Sequence, residues 1–212
     1  VIFSPLDGHY KINADGKEIE ISSQDLAYLT YEDGKIRVKT LEGEQGHFSM
    51  LKITAAVDGS SFKLKSVVPY GRMRAYDDDL EVSVVNSRLS LLNRVEMDKY
   101  VAGVVRSEVG PAALVEFYKV QSIICRTYAM SNFRRHEKDA FQLCDEVHCQ
   151  VYGGKCTEVD PSSGLRYAGM EDIVRAAEIT SNIVIVDHDL ELIEAAFHSN
   201  CGGQTVNSED AW

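Results

Sequence analysis

Glu108 is the side chain best placed to move a proton. Residues from Asp98 onward predict a short helix to about Ser107, and Gly110-Pro111 then breaks it. Glu108 therefore closes a helix, where the negative end of the macrodipole disfavours a carboxylate. Val104 and Val105 lie four and three residues earlier on the same face, so the carboxyl group is expected to rest on apolar surface. Both features suit a general acid, although the same spacing fits a solvated glutamate beside a turn. Lys119 and Arg126 are seven residues apart and share one face of a second predicted helix. They can line a groove, or simply decorate an exposed helix face.

A second chemical centre gathers around Cys144, His148 and Cys149, with His136 eight residues before Cys144 as a fourth ligand. Thiolate sulfur and imidazole nitrogen are the donors that zinc takes in a closed tetrahedral site. A Cys144–Cys149 disulfide is the competing reading. A Cys-His nucleophile is also available in principle, from Cys201 with His198 or from Cys125 with a distant histidine. Cys125 falls within an apolar helical stretch, where a small buried residue is the simpler account.

The elements that must hold these groups divide the chain. Up to about Arg94 the sequence reads as short strands, with Asp-Gly pairs at Asp7-Gly8, Asp15-Gly16, Asp33-Gly34 and Asp58-Gly59 marking tight turns. Lys35 to Lys39 and Phe62 to Val67 alternate with the period of two expected of half-buried strands. Leu80 to Val85 and Leu89 to Leu92 read as one further hairpin. Asp98 is the predicted N-cap of the first helix. A longer central helix is expected from about Leu114 to Phe133, burying Phe117, Val120, Ile124, Thr127 and Tyr128. Met170 to Ile179 reads as a third helix, followed by a strand pair, Ile183 to Val186 and Ile193 to Phe197. The expected fold class is α+β, a β-rich N-terminal part followed by an α+β catalytic-type domain with a long central helix.

Composition narrows the functions. The 212 residues are 44% hydrophobic and 26% charged, the make-up of an ordinary globular chain. A formal charge of -11 argues against a nucleic-acid surface, which needs clustered Lys and Arg. No run of 18 apolar residues occurs, so no transmembrane segment is expected, and the start at Val1 suggests a trimmed mature product. Five cysteines, an odd number, leave at least one without a partner in the chain.

Four segments, in order, carry a resemblance to the family of stage II sporulation protein D and the amidase enhancers (SpoIID/LytB). They are Val104-Val105-Arg106-Ser107-Glu108, then Lys119-Val120-Gln121 with Arg126-Thr127-Tyr128-Ala129, then Cys144 to Gly153, and finally Phe197-His198-Ser199-Asn200 with Gly202-Gly203 and Asn207 to Asp210. Val109 and Gly110 replace the Met and Pro common after the family's glutamate, and Cys201 stands where a small polar residue is frequent. The resemblance covers roughly Tyr76 to Trp212. It divides the chain into a β-rich accessory region, 1–75, and a sporulation protein D-like domain, 76–212, whose C-terminal end is expected to be incomplete.

What the resemblance implies is a lytic transglycosylase, which cleaves peptidoglycan glycan strands without water and leaves anhydro-muramic ends. Glu108 would be its acid and then its base. Lys119, Gln121, Arg126, Tyr152 and Ser199 would bind substrate. His136, Cys144, His148 and Cys149 would hold a structural zinc. The implied setting is extracytoplasmic, whether periplasmic, envelope-bound or secreted, with glycan strands as ligand and a cell-wall amidase as a further partner. A non-catalytic wall-binding protein that recruits or stimulates an amidase is the second reading.

Overall fold

The computed structural model describes residues 1–198, 200 and 202–207. Eleven strands come first: β1 (Ile2–Asp7), β2 (Tyr10–Ala14), β3 (Lys17–Ile21), β4 (Ala27–Glu32), β5 (Lys35–Thr40), β6 (Gly43–Phe48), β7 (Met50–Ala55), β8 (Ser61–Lys65), β9 (Met73–Asp77), β10 (Asp79–Val85) and β11 (Arg88–Arg94). Three helices follow, α1 (Met97–Glu108), α2 (Val115–Ser131) and α3 (Met170–Ile179). The expected α+β class is what the structure shows.

The strands form two antiparallel sheets, one ordered β6-β5-β4-β1-β8-β9 and the other β11-β10-β7-β2-β3. Alternation along each strand sends one set of side chains inward. Ile36 and Val38 of β5, Ile12 of β2, Ile53 of β7 and Val82 of β10 are all fully buried, and the two sheets share one core with Phe3, Tyr10 and Phe62 at its centre. Asp15-Gly16 and Asp33-Gly34 take positive φ at both positions, the geometry that two-residue hairpin turns require. Asn86-Ser87 does the same between β10 and β11, so the predicted hairpin forms there.

The division expected between residues 75 and 76 falls inside β9, and the second sheet continues to Arg94. Strands β10 and β11 pair with each other and, through β7, with the N-terminal strands.

Helices α1, α2 and α3 pack on one another around Val101, Val104, Val105, Tyr118, Cys125 and Ile173. A line of rings joins this second core to the sheets. Phe62 stacks on Tyr76 at 5.6 Å, Tyr76 lies 6.2 Å from Tyr152, and Tyr152 lies 5.1 Å from Tyr100 of α1. Tyr152 needs room on α1, and Gly103 supplies it: a Cβ there would stand 2.5 Å from both the Tyr152 ring and the Gly154 carbonyl.

Several expectations change. The N-cap of α1 is Glu96, without a side-chain cap bond, because Asp98 turns instead to the buried Arg126. A guanidinium in the protein interior competes successfully for that carboxylate, since charge attraction strengthens away from water. α2 buries only part of the expected stripe, Thr127 fully and Ile124 and Tyr128 partly. Phe117 and Val120 are exposed, whereas Gln121, Ser122 and Arg126 are buried. The expected strands at 183–186 and 193–197 reduce to a single bridge, Val186 with Leu192, around the turn at Asp187.

Candidate active site

Three consecutive residues at the end of α1 bind the segment that follows the Cys/His cluster. Glu108 Oε1 accepts the Val151 N–H at 2.9 Å, Ser107 Oγ accepts the Gly153 N–H at 2.9 Å, and Arg106 Nη1 donates to the Lys155 carbonyl at 3.1 Å. The bonds fall at residues 151, 153 and 155 of a run that bends at Gly154, whose φ is 94°. Ser107 Oγ also donates to the Gly103 carbonyl at 2.7 Å, so α1 and the run are joined through one hydroxyl.

Glu108 itself is exposed. Val104 and Val105 are fully buried in the helical core, so its carboxyl group extends beyond them. One carboxylate oxygen is held by a backbone donor. The other has no hydrogen-bond partner among the described residues and is open to solvent or ligand.

Behind Glu108 the groups are polar and buried. Gln121 Nε2 contacts Cys125 Sγ at 3.5 Å, and Tyr100 donates its hydroxyl to Gln150 Oε1 at 3.3 Å. Burial, with a smaller push from the nearby Glu108 charge, raises the Cys125 thiol to about 12. Cys125 is therefore a neutral thiol at physiological pH, which argues against a nucleophilic role.

His136, Cys144, His148 and Cys149 come together, with one donor atom from each lying within 4.8 Å of all the others. Cys149 Sγ stands 3.5 Å from His136 Nε2 and 3.7 Å from His148 Nδ1, and Cys144 Sγ stands 3.8 Å from His148 Nδ1. Two such donors on one tetrahedral zinc are separated by about 3.5 Å, given the usual Zn–S and Zn–N bond lengths. The residues present thus fit a zinc ion. Both cysteines are free thiols in this structure. Asp139 lies 3.2 Å from His136 Nδ1, the position of an outer carboxylate that orients a ligating ring, and Phe141 stacks on that ring at 4.5 Å.

The other expected site residues disperse. Lys119 forms an ion pair with Glu116 at 2.7 Å on the outer part of α2. Arg126 is 1% exposed and faces no groove. Its Nη1 donates to the Thr180 carbonyl at 2.8 Å, and its Nη2 donates to Asp98 at 2.8 Å and to the Ala177 carbonyl at 2.9 Å. It caps the C-terminal end of α3, where unpaired carbonyls and the helix dipole favour a cation. Tyr152 is 6% exposed, donates to Asn93 Oδ1 at 3.1 Å and belongs to the line of rings. Gln121 is buried beside Cys125. Ser199 lies outside the described residues, as does Cys201.

Sequence reasoning missed Val151 and Gln150. Val151 contributes only a backbone N–H, which leaves no mark in residue type. Gln150 sits in the quoted motif, but nothing in its spacing signals burial.

Sequence comparison adds an independent finding to this geometry. Residues 85–186 match the stage II sporulation protein (SpoIID) family model, and that matched segment suggests a sporulation-related role at the cell wall. The chain is similar to an uncharacterized protein of Brachyspira hyodysenteriae, 27% identical over 128 residues, which are 60% of this chain and 32% of that protein. It thus spans about a third of the length of the curated relative that it matches. No solved structure matches the chain.

Proposed function

We propose that the protein is a peptidoglycan lytic transglycosylase in which Glu108 serves as acid and then as base. The observation that carries this reading is the state of the Glu108 carboxyl group, exposed at the end of α1 with Oε1 held by Val151 N–H and Oε2 without a partner among the described residues. A proton carrier needs one oxygen in a defined direction toward the reacting bond, and a backbone donor on the other oxygen supplies that direction.

In the proposed reaction Glu108 gives its proton to the glycosidic oxygen as the bond to the muramic acid anomeric carbon breaks. The C6 hydroxyl of the same sugar then attacks that carbon, and the Glu108 carboxylate takes the hydroxyl proton. One bond is broken and one made within the chain, no water is consumed, and the glutamate ends protonated as it began. A second carboxylate, which water-using glycosidases require, has no part in this sequence.

The cluster of His136, Cys144, His148 and Cys149 is proposed to hold a structural zinc. Four protein donors close the coordination sphere, leaving no position for a substrate. The ion would fix the chain just before Gln150 and Val151. The proposed setting is extracytoplasmic, where glycan strands are found; no helix among the described residues is long and apolar enough to cross a membrane.

Glycan cleavage by the wild type with retained strand binding but no cleavage in Glu108→Gln is the expected pattern. Strand binding without cleavage by the wild type would instead favour a protein that recruits or stimulates an amidase.

A further inference from the structure

We propose that Gln150 is a positioning residue for Glu108, acting through the backbone N–H of Val151. The inference rests on the reading of Glu108 as the acid and deepens it by naming what aims the carboxyl group.

Gln150 is 2% exposed, and its Nε2 is buried without a hydrogen-bond partner among the described residues. A buried amide that satisfies half its capacity is costly, and an apolar side chain of the same length would fill the space without that cost. Packing alone does not explain the residue. Its surroundings do. Oε1 takes the Tyr100 hydroxyl of α1 at 3.3 Å. The buried side chain is therefore wedged against α1, the helix that ends at Glu108.

The consequence for Glu108 follows from connectivity. The peptide unit joining Gln150 to Val151 carries the N–H that bonds Glu108 Oε1 at 2.9 Å. Swinging that N–H away requires rotation about the backbone of Gln150, and the wedged side chain opposes it. The preceding residue, Cys149, is buried as well, and the next bonded amide, Gly153, is pinned to Ser107 Oγ at 2.9 Å. Between these two anchors Gln150 sets the remaining freedom. Loss of its grip leaves Glu108 in place on α1 but without a defined direction for its free oxygen. Misplacement of a reacting group by about 1 Å lowers turnover by as much as a hundredfold, whereas ground-state binding need not change.

The test is amide hydrogen exchange at Val151, read by NMR, in the wild type, Gln150→Met and Tyr100→Phe, together with kcat and KM for strand cleavage. Gln150→Met keeps the length of the side chain and removes its polar atoms. Tyr100→Phe removes only the hydroxyl and guards against misfolding of the first variant. Faster exchange at Val151, unchanged exchange at Val104 in the core, and kcat lowered at least tenfold with KM within twofold are expected. Unchanged Val151 exchange in both variants would overturn the proposal, whatever happens to turnover. Should the wild type cleave nothing, the reading of Glu108 as an acid fails separately, and the amide measurement still decides whether Gln150 positions its carboxyl group.

Discussion

Glu108 and Val151 are 43 residues apart in sequence and 2.9 Å apart as hydrogen-bond partners, carboxylate oxygen to backbone nitrogen. That bond links the two segments of the chain with the most chemical potential, the end of α1 and the run after the Cys/His cluster. Ser107 and Arg106 repeat the link at Gly153 and Lys155, so it is a seam and does not depend on one contact. Whatever stabilises the run therefore bears on Glu108.

Arg126 is a structural cation. Arg126→Met is expected to destabilise the fold by about 3–5 kcal/mol, the usual cost of leaving a buried ion partner alone. Urea denaturation measures this directly. Glycan affinity of the folded fraction should be unchanged; a loss of affinity at wild-type stability would return Arg126 to the ligand groove.

Zinc is expected in the purified protein at one equivalent per chain, and Cys144→Ser or His148→Ala should abolish it. Removal by a chelator should lower the unfolding midpoint and speed exchange at Val151, since Cys149 precedes it by two residues. Elemental analysis that finds no metal, together with Cys144 and Cys149 protected from alkylation until reduced, would establish the disulfide instead.

Stability should fall as pH rises above about 9. Burial pushes the thiols of Cys125 and Cys156 up to about 12 from the ordinary 9.0. Between those values the unfolded chain loses these protons while the folded chain keeps them, so alkali favours unfolding. The stabilisation is complete below pH 9 and is lost as pH climbs through the folded value. Burial also raises the Tyr100 hydroxyl, which adds the same trend at higher pH. Urea midpoints from pH 8 to 11 check this, and the slope should flatten in Cys125→Ala and Cys156→Ala.

Much of this architecture was legible in the residues. Asp15-Gly16 and Asp33-Gly34 located hairpins because positive φ has few other solutions, whereas Asp7-Gly8 and Asp58-Gly59 carry the chain between the two sheets; α3 forms over the expected Met170–Ile179 because its apolar period is regular. α2 was harder. Its buried face carries Gln121, Ser122 and Arg126, the last bonded to carbonyls at the end of α3 and to Asp98 of α1, so apolar periodicity pointed to Phe117 and Val120, which are exposed. Asp98 failed as a cap for the same reason: a buried guanidinium 28 residues away claims it. The expected division at residue 75 missed that β10 and β11 pair with the N-terminal strands, a long-range contact without a local signature. The Cys/His cluster was legible because few residue types offer sulfur and imidazole donors and these four lie close in sequence; the Val151 N–H was not, because any residue supplies one.

The most direct test of Glu108 as the acid is mass spectrometry of purified glycan strands, with and without their peptides, after incubation with the wild type and with Glu108→Gln. Anhydro-muramic ends produced by the wild type and not by the variant are expected. Their absence from both, with strand binding intact, would contradict transglycosylase chemistry at Glu108.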